Sequence, residues 1–299
     1  MQVFCPYCVL RNEPGSGYPK VVRFGFYKRS SDSRVVQRFR CTQCRRGFSR
    51  ATFHPCYRQN KRQMNYRLWK DFVSAASQRR MAKKHHLSRT TIARKLWFLS
   101  KIAAAKITES FVDAPLASIV EFDDMETFEH SKRKPLSITL AVESKTRRIL
   151  GFEVSVMPAK GLLARSSLAK YGPRRDLRPE ARRKLLKQIS ARITSRATIK
   201  SDENPHYIED IRRYLPGHEH QRFKGKRGCV TGQGEIKTGG FDPLFSLNHT
   251  CAMIRYGLSR LVRRTWCTTK KQDALTAHLM IYMAAHNGLM KNLPIAYVP

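Results

Sequence analysis

Two aspartates and four cysteines are the residues whose type and placement suggest chemistry. Asp123 closes the apolar run Ala117-Ser-Ile-Val-Glu-Phe122, and Asp202 closes the run Ala197-Thr-Ile-Lys-Ser201. The chain has 299 residues, with 58 Lys+Arg against 22 Asp+Glu and a formal net charge of +36. In so basic a chain, two carboxylates at strand ends call for a chemical explanation. Carboxylate oxygens suit Mg²⁺ or Mn²⁺, and a basic protein holding such an ion is suited to a phosphodiester backbone. The cysteines form two Cys-x-x-Cys knuckles, Cys5-Pro-Tyr-Cys8 and Cys41-Thr-Gln-Cys44. Together they offer four thiolates for tetrahedral Zn²⁺.

These groups need elements to position them. Between the knuckles, Val21-Val-Arg-Phe-Gly-Phe-Tyr27 and Arg34-Val-Val-Gln-Arg-Phe-Arg40 alternate as a β-hairpin with a turn at Ser30-Ser-Asp-Ser33. Knuckle, hairpin, knuckle reads as a zinc ribbon over residues 1–58. So short a module buries little surface, so the metal should contribute folding energy directly. Arg38, Arg40, Arg45, Arg46 and Arg50 would face phosphates. His54 and Cys56 are left out of the ligand set, since four thiolates already close it.

Residues 59–110 read as a helix-turn-helix. Ser77 and Ser88 fit as N-caps, and Met81, Ala82, Leu87, Ile92, Leu96 and Leu99 have buried helical spacing. The second helix would offer Arg89, Thr90, Thr91, Arg94 and Lys95 to a major groove. Between Asp32 and Glu109 the only acid is Asp71, which favours nucleic acid as the partner of this stretch.

Residues 111–299 should form the third domain. Strands are expected over Ala117–Asp123, Leu136–Glu143 and Arg148–Val156, a helix over Pro179–Ile193, and a strand ending at Asp202. A helix over Pro205–Tyr214 and a β-like His220–Phe223 follow, then helices over Leu247–Val262 and Ala274–Asn287. Three antiparallel strands, a helix and a parallel strand are the order of an RNase H-like core, which would set Asp123 beside Asp202. The fold class is therefore α+β and multidomain: zinc ribbon, helix-turn-helix, RNase H-like α/β catalytic domain. A basic insert at about 157–196 carries Lys160, Arg165, Lys170, Arg174, Arg175, Arg178, Arg182, Arg183 and Lys184, and is expected to lie along DNA backbone. Asp124, Glu126 and Glu203 are weaker carboxylate candidates than their neighbours. His278 and His286 read as surface or packing residues, and Cys229, Cys251 and Cys267 as small buried hydrophobes.

Here a resemblance becomes specific. Glu121-Phe-Asp-Asp124, the strand ending Ser201-Asp202, and Arg260-Leu-Val-Arg-Arg-Thr-Trp-Cys267 with Arg255 before it are similar to motifs of bacterial insertion-sequence transposases. Those proteins join a zinc ribbon and a helix-turn-helix to a DDE nuclease. The resemblance implies metal-dependent DNA cleavage and strand transfer, with Arg255, Arg260, Arg263 and Arg264 on bound DNA. It also implies a third acid seven residues before the arginine, where this chain has Asn248, followed by His249. Two readings stay open: Asn248 or His249 completes the site, or the chain is an inactive or domesticated copy that binds DNA without cutting it. Glu235 and Asp242 lie nearby as substitutes. The expected cofactors are structural Zn²⁺ and catalytic Mg²⁺ or Mn²⁺. The expected partner is double-stranded DNA, with a homo-oligomer possible in the synaptic complex. No apolar run is long enough to span a membrane, and a cytoplasmic, nucleoid-associated bacterial protein is expected.

Overall fold

The computed structural model describes residues 3–8, 20–30, 33–224, 242–262 and 267–289. They fall into two compact units, one within residues 1–67 and one beginning at Leu68.

In the first unit, strands β1 (Val21–Lys28), β2 (Val35–Cys41) and β3 (Gly47–Ser49) form an antiparallel sheet in the order β1-β2-β3. Its inner side is small: Phe39 and Phe48 pack with Cys5, Cys8 and Cys41. Among the described residues, the partly buried Val3, Tyr7, Val21 and Cys44 pack against this cluster. Cys56 is buried and accepts a hydrogen bond from Asn65 Nδ2, while His54 Nδ1 accepts from the Cys56 N–H. Neither belongs to the cysteine cluster.

Helices α1 (Asn65–Phe72), α2 (Gln78–Lys84) and α3 (Arg89–Ser110) follow. Ser77 accepts from the Arg80 N–H at 3.2 Å and Ser88 from the Thr91 N–H at 3.1 Å, so both hydroxyls cap their helices. Met81, Leu87, Ile92, Leu96 and Leu99 are buried on the side that holds these helices together. Asp71, on α1, takes Lys84 at 2.7 Å and His85 at 2.5 Å and so pins α2 to α1. Burial pushes the Asp71 carboxyl up, but the bonds from Lys84 and His85 outweigh it and leave it below the usual range. The second unit contains α2 and α3 together with the main sheet, and α3 packs along the last helix, α8 (Gln272–His286).

The main sheet comprises β4 (Ala117–Phe128), β5 (Pro135–Glu143), β6 (Ile149–Val156), β7 (Ile193–Asp202) and β8 (Glu219–Phe223), ordered β6-β5-β4-β7-β8. The β4–β5 and β5–β6 pairs are antiparallel, and the β4–β7 and β7–β8 pairs are parallel. β5 is buried from Pro135 through Val142, as befits a strand covered on both faces. On one face Val120, Phe122, Ala141, Ile199 and Leu150 pack under α5 (Arg178–Ser190) and α6 (Pro205–Tyr214). The other face meets α7 (Phe245–Gly257) and α8. α7 approaches α8 closely at Gly257, where a Cβ would lie 2.7 Å from the Tyr282 ring.

Two expectations change in extent. β4 does not stop at Asp123 but runs on to Phe128, because β5 keeps pairing with it as far as Pro135 after β7 has ended. The basic segment contains a helix of its own, α4 (Leu163–Tyr171), as well as α5. Among the described residues no helix is long and apolar enough to cross a membrane.

A paired-carboxylate site and a four-cysteine cluster

Strand order builds the carboxylate pair. In the parallel β4–β7 ladder Phe122 faces Ser201, so Asp123 and Asp202 are the next residues along two neighbouring strands. Strands in a sheet lie roughly 4.8 Å apart. Asp123 is consequently pushed up to about 7, first by burial and then by the charge of Asp202. Its Oδ1 accepts two hydrogen bonds, from the Asp124 N–H at 2.6 Å and from the Tyr207 hydroxyl at 3.1 Å. Asp202 Oδ1 accepts the Asn204 N–H at 3.0 Å. Pro205 at the first turn of α6 and Asn204 as its cap fix where that helix begins. They thereby place Tyr207, fully buried, edge-on to Phe122 with ring centroids 4.9 Å apart. Burial and the neighbouring carboxylates raise the Tyr207 phenol, so it stays a donor.

The neighbours of the pair are committed elsewhere. Asp124 points to the opposite face, where Thr139 donates to it and Arg182 stands 3.5 Å away. Arg182 also donates to Asp210 and lies over the Tyr207 ring at 5.7 Å. Glu126 pairs with Lys160, and Glu203 is exposed. Glu121, buried, accepts Ser144 Oγ and the Leu247 N–H, both at 2.7 Å, and so ties α7 to β4.

The third position is not assembled as the resemblance implies. His249 turns to the β5–β6 turn, where an Arg147 guanidinium nitrogen lies 3.1 Å from each ring nitrogen. That turn lies beyond Glu143, opposite Val120, three residues from Asp123 along β4. Asn248 is exposed and donates to Asp242 Oδ2 at 2.9 Å, and Asp242 Oδ1 accepts the Leu244 N–H. The α7 side chain that feels the Asp123 charge is Cys251, half-buried, whose thiol burial pushes up to about 12. Among the described residues, the four cysteines are the only cluster of three or more metal-ligating side chains within reach of one ion. Glu235, Arg263, Arg264 and Cys229 lie outside the described residues.

Of the basic residues expected on DNA, Lys95 and Arg182 are buried instead, and Arg260 is half-buried. Lys95 is 3% exposed because it shares the packed side of α3 with Ile92, Leu96 and Leu99. Arg260 is half-buried, and its Nε donates to Nδ1 of His278, a buried residue whose Nε2 meets the Phe72 carbonyl. Arg182 is buried in the ion pairs above. Elsewhere in the basic segment, Arg178 pairs with Asp176, Arg175 with Glu180, and Arg174 bonds the Met157 and Pro135 carbonyls. Arg89, Thr90 and Arg94 are exposed, and Thr91 is engaged by its Ser88 cap. Arg255 lines a 580 Å³ cavity with Met125, Phe128 and Lys132. Cys251 and Cys267 are half-buried rather than fully buried.

The cysteine quartet is compact. The ligand atoms of Cys5, Cys8, Cys41 and Cys44 all lie within 4.8 Å of one another, with Cys5 and Cys44 sulfurs 3.6 Å apart. Without metal, burial pushes the Cys5 and Cys8 thiols up, while the backbone N–H of Arg46 pulls Cys44 down to about 7.

No protein-family model matches the chain, and no curated protein matches it significantly. Solved structures similar to it include the catalytic domain of Mos1 mariner transposase, at 13% identity and TM-score 0.29 over 69% of this chain and 96% of that one. The Mos1 strand transfer complex is 12% identical with TM-score 0.30, covering 79% of this chain and 76% of that one. A pre-cleavage Mos1 transpososome is 10% identical with TM-score 0.26, covering 79% and 77%. Likenesses this slight carry no weight for fold or function, which rest on the strand order and side chains above.

Proposed function

We propose that this chain is a DNA transposase of the RNase H-like type, with a zinc ribbon (1–58), a helix-turn-helix (59–110) and a catalytic domain (111–299). One observation carries the reading: Asp123 and Asp202 stand on adjacent parallel strands, and Asp123 is raised by burial and then by the Asp202 charge. Two like charges held together are relieved by a divalent cation, and an all-oxygen donor pair suits Mg²⁺ or Mn²⁺. Mg²⁺ commonly rests on one or two carboxylates plus waters and substrate phosphates, so two aspartates are a sufficient protein contribution.

Such an ion, when bound, supplies charge neutralisation and nucleophile activation for in-line displacement at phosphorus. The chain's own residues do the positioning. Tyr207 and the Asp124 N–H occupy Oδ1 of Asp123, so Oδ2 is the oxygen that would hold an ion. Asp202 is aimed by the Asn204 N–H. The exposed Arg89, Thr90 and Arg94 on α3 are the groove-facing set for duplex DNA. The four thiolates would hold a structural Zn²⁺.

A second reading is a DNA-binding protein that does not cut. It is favoured by the engagement of His249 with Arg147 and of Asn248 with Asp242. The deciding experiment uses a labelled duplex carrying the DNA that flanks the chain's own gene, with Mg²⁺ or Mn²⁺. Cleavage at the element end that disappears in Asp202→Ala, with binding retained, supports the transposase. Tight, salt-sensitive binding without cleavage under either ion supports the second reading.

A further inference from the structure

The outward face of the N-terminal hairpin carries aromatic rings that the fold does not use. A bulge in β1 arranges them. Arg23 faces Phe39 and Phe26 faces Gln37, so Phe24 and Gly25 together oppose the single residue Arg38. Gly25 takes a φ of +68°, which glycine adopts without the Cβ penalty. Strict alternation would send Phe24 and Tyr27 to opposite faces; the extra residue puts both on the face of Val22, across from Val36, Arg38 and Arg40. The other face of β2, with Phe39 and Cys41, is the one that packs on the cysteine cluster.

These rings stay open to solvent: Phe24 is 44% exposed and Tyr27 36%. The guanidinium groups of Arg38 and Arg40, both exposed, lie 5.4 and 5.1 Å from the Phe24 centroid. From Ser33 to Lys70 the chain contains no Asp or Glu, so the face complements an anion. A second copy of this chain would bring arginine against arginine. Along a duplex the base faces are already stacked on each other, leaving nothing for exposed rings to cover. Unpaired nucleotides offer both free base faces and phosphates, and aromatic rings flanked by arginines are what binds them.

We infer that the β1–β2 face, through Phe24, Tyr27, Arg38 and Arg40, is a stacking platform for single-stranded nucleic acid, separate from the α3 surface that reads duplex DNA. The inference rests on the nucleic-acid reading above but not on cleavage. The test uses the zinc-loaded full chain with a fluorescein-labelled oligothymidylate and, in parallel, a duplex of the same length. Phe24→Ala and Tyr27→Ala should each weaken the single strand roughly tenfold, within the range for one lost stack, and leave the duplex affinity unchanged. Phe24→Trp should retain single-strand binding. Zinc content, read by a thiol-displacement assay, identifies any variant that has lost the sheet, in which case Tyr27→Ala and Phe24→Trp decide. Equal losses for both DNAs, or no loss, overturn the platform. So does a change in sedimentation with single-strand binding intact, which would make this face a contact between copies. Duplex binding that is absent from the native chain would instead count against the proposed function.

Discussion

Replacing Arg182 with Met removes the cation that organises the back of the carboxylate site. Arg182 is 3% exposed and holds two carboxylates, Asp210 and Asp124, which are themselves nearly buried. Removing one partner of a buried ion pair costs roughly 3–5 kcal/mol, because the remaining charge has no water to return to. Here two acids are stranded, so the loss belongs near the upper end of that range. For a unit of this size, about 1 kcal/mol shifts Tm by roughly 2–4 °C, which gives a fall on the order of 10 °C. Thermal melts of Arg182→Met at neutral pH check the size. The cause is checked by Arg182→Met combined with Asp124→Asn and Asp210→Asn, which should recover more than half of the loss since no buried charge remains. A fall below about 1 kcal/mol, or a triple variant no more stable than the single one, would show that Arg182 does not hold these two acids as a buried ion pair. Either result would mean that water reaches these acids and that Arg182 is the surface cation its sequence context suggests.

Three further outcomes follow from particular contacts. His278 is held neutral, with its pKa pushed down to about 3 by burial and by the Arg260 charge. The unfolded chain takes up the proton near 6.5 while the native one does not, so this contribution to stability is present above about pH 6.5 and is lost as pH falls toward 3; urea melts of His278→Asn should show a flatter pH dependence than the native chain over that window. Cys41→Ser should lose zinc and, by far-UV circular dichroism and proteolysis, the β1–β3 sheet, while the melt of the unit beginning at Leu68 persists. Tyr207→Phe removes one of the two hydrogen bonds on Oδ1 of Asp123 and leaves the Asp124 N–H there, which opens that oxygen toward bidentate binding, a mode Ca²⁺ accepts more readily than Mg²⁺; competition calorimetry should show the Mg²⁺-to-Ca²⁺ preference moving toward Ca²⁺, and an unchanged ratio would show that the hydroxyl does not restrict the carboxylate.

The elements that sequence made legible are those whose signal is local. The two knuckles are a spacing, and they meet in space within reach of one ion. Ser77 and Ser88 cap their helices, and α6 spans Pro205–Tyr214, because caps and an N1 proline act within one turn. The continuous apolar run of β5 marks a strand buried on both faces. What stayed hidden depends on partners remote in sequence. β4 outlasts Asp123 because β5, not β7, sets its length. Lys95, Arg182 and Arg260 read as DNA contacts when charges are counted along the chain, yet a cation on the packed side of a helix, like Lys95, or beside a distant Asp or His, like Arg182 and Arg260, looks the same in sequence as an exposed one. Tyr207 had a signal, five residues after Asp202 on the apolar side of α6, but its bond to Asp123 requires knowing that β4 and β7 are neighbours. The platform on β1 depends on one bulge, which a single glycine among alternating residues only hints at.

Whether Asp123 and Asp202 form one divalent-cation site is decided by Mn²⁺ titration of the zinc-loaded full chain by calorimetry. The native chain should bind Mn²⁺ saturably, and either Asp123→Ala or Asp202→Ala should abolish that binding. At pH 6 binding should release about one proton, because Asp123, held up at about 7, must give up its proton to bind. Binding that survives both substitutions, or that displaces no proton, would contradict a shared site.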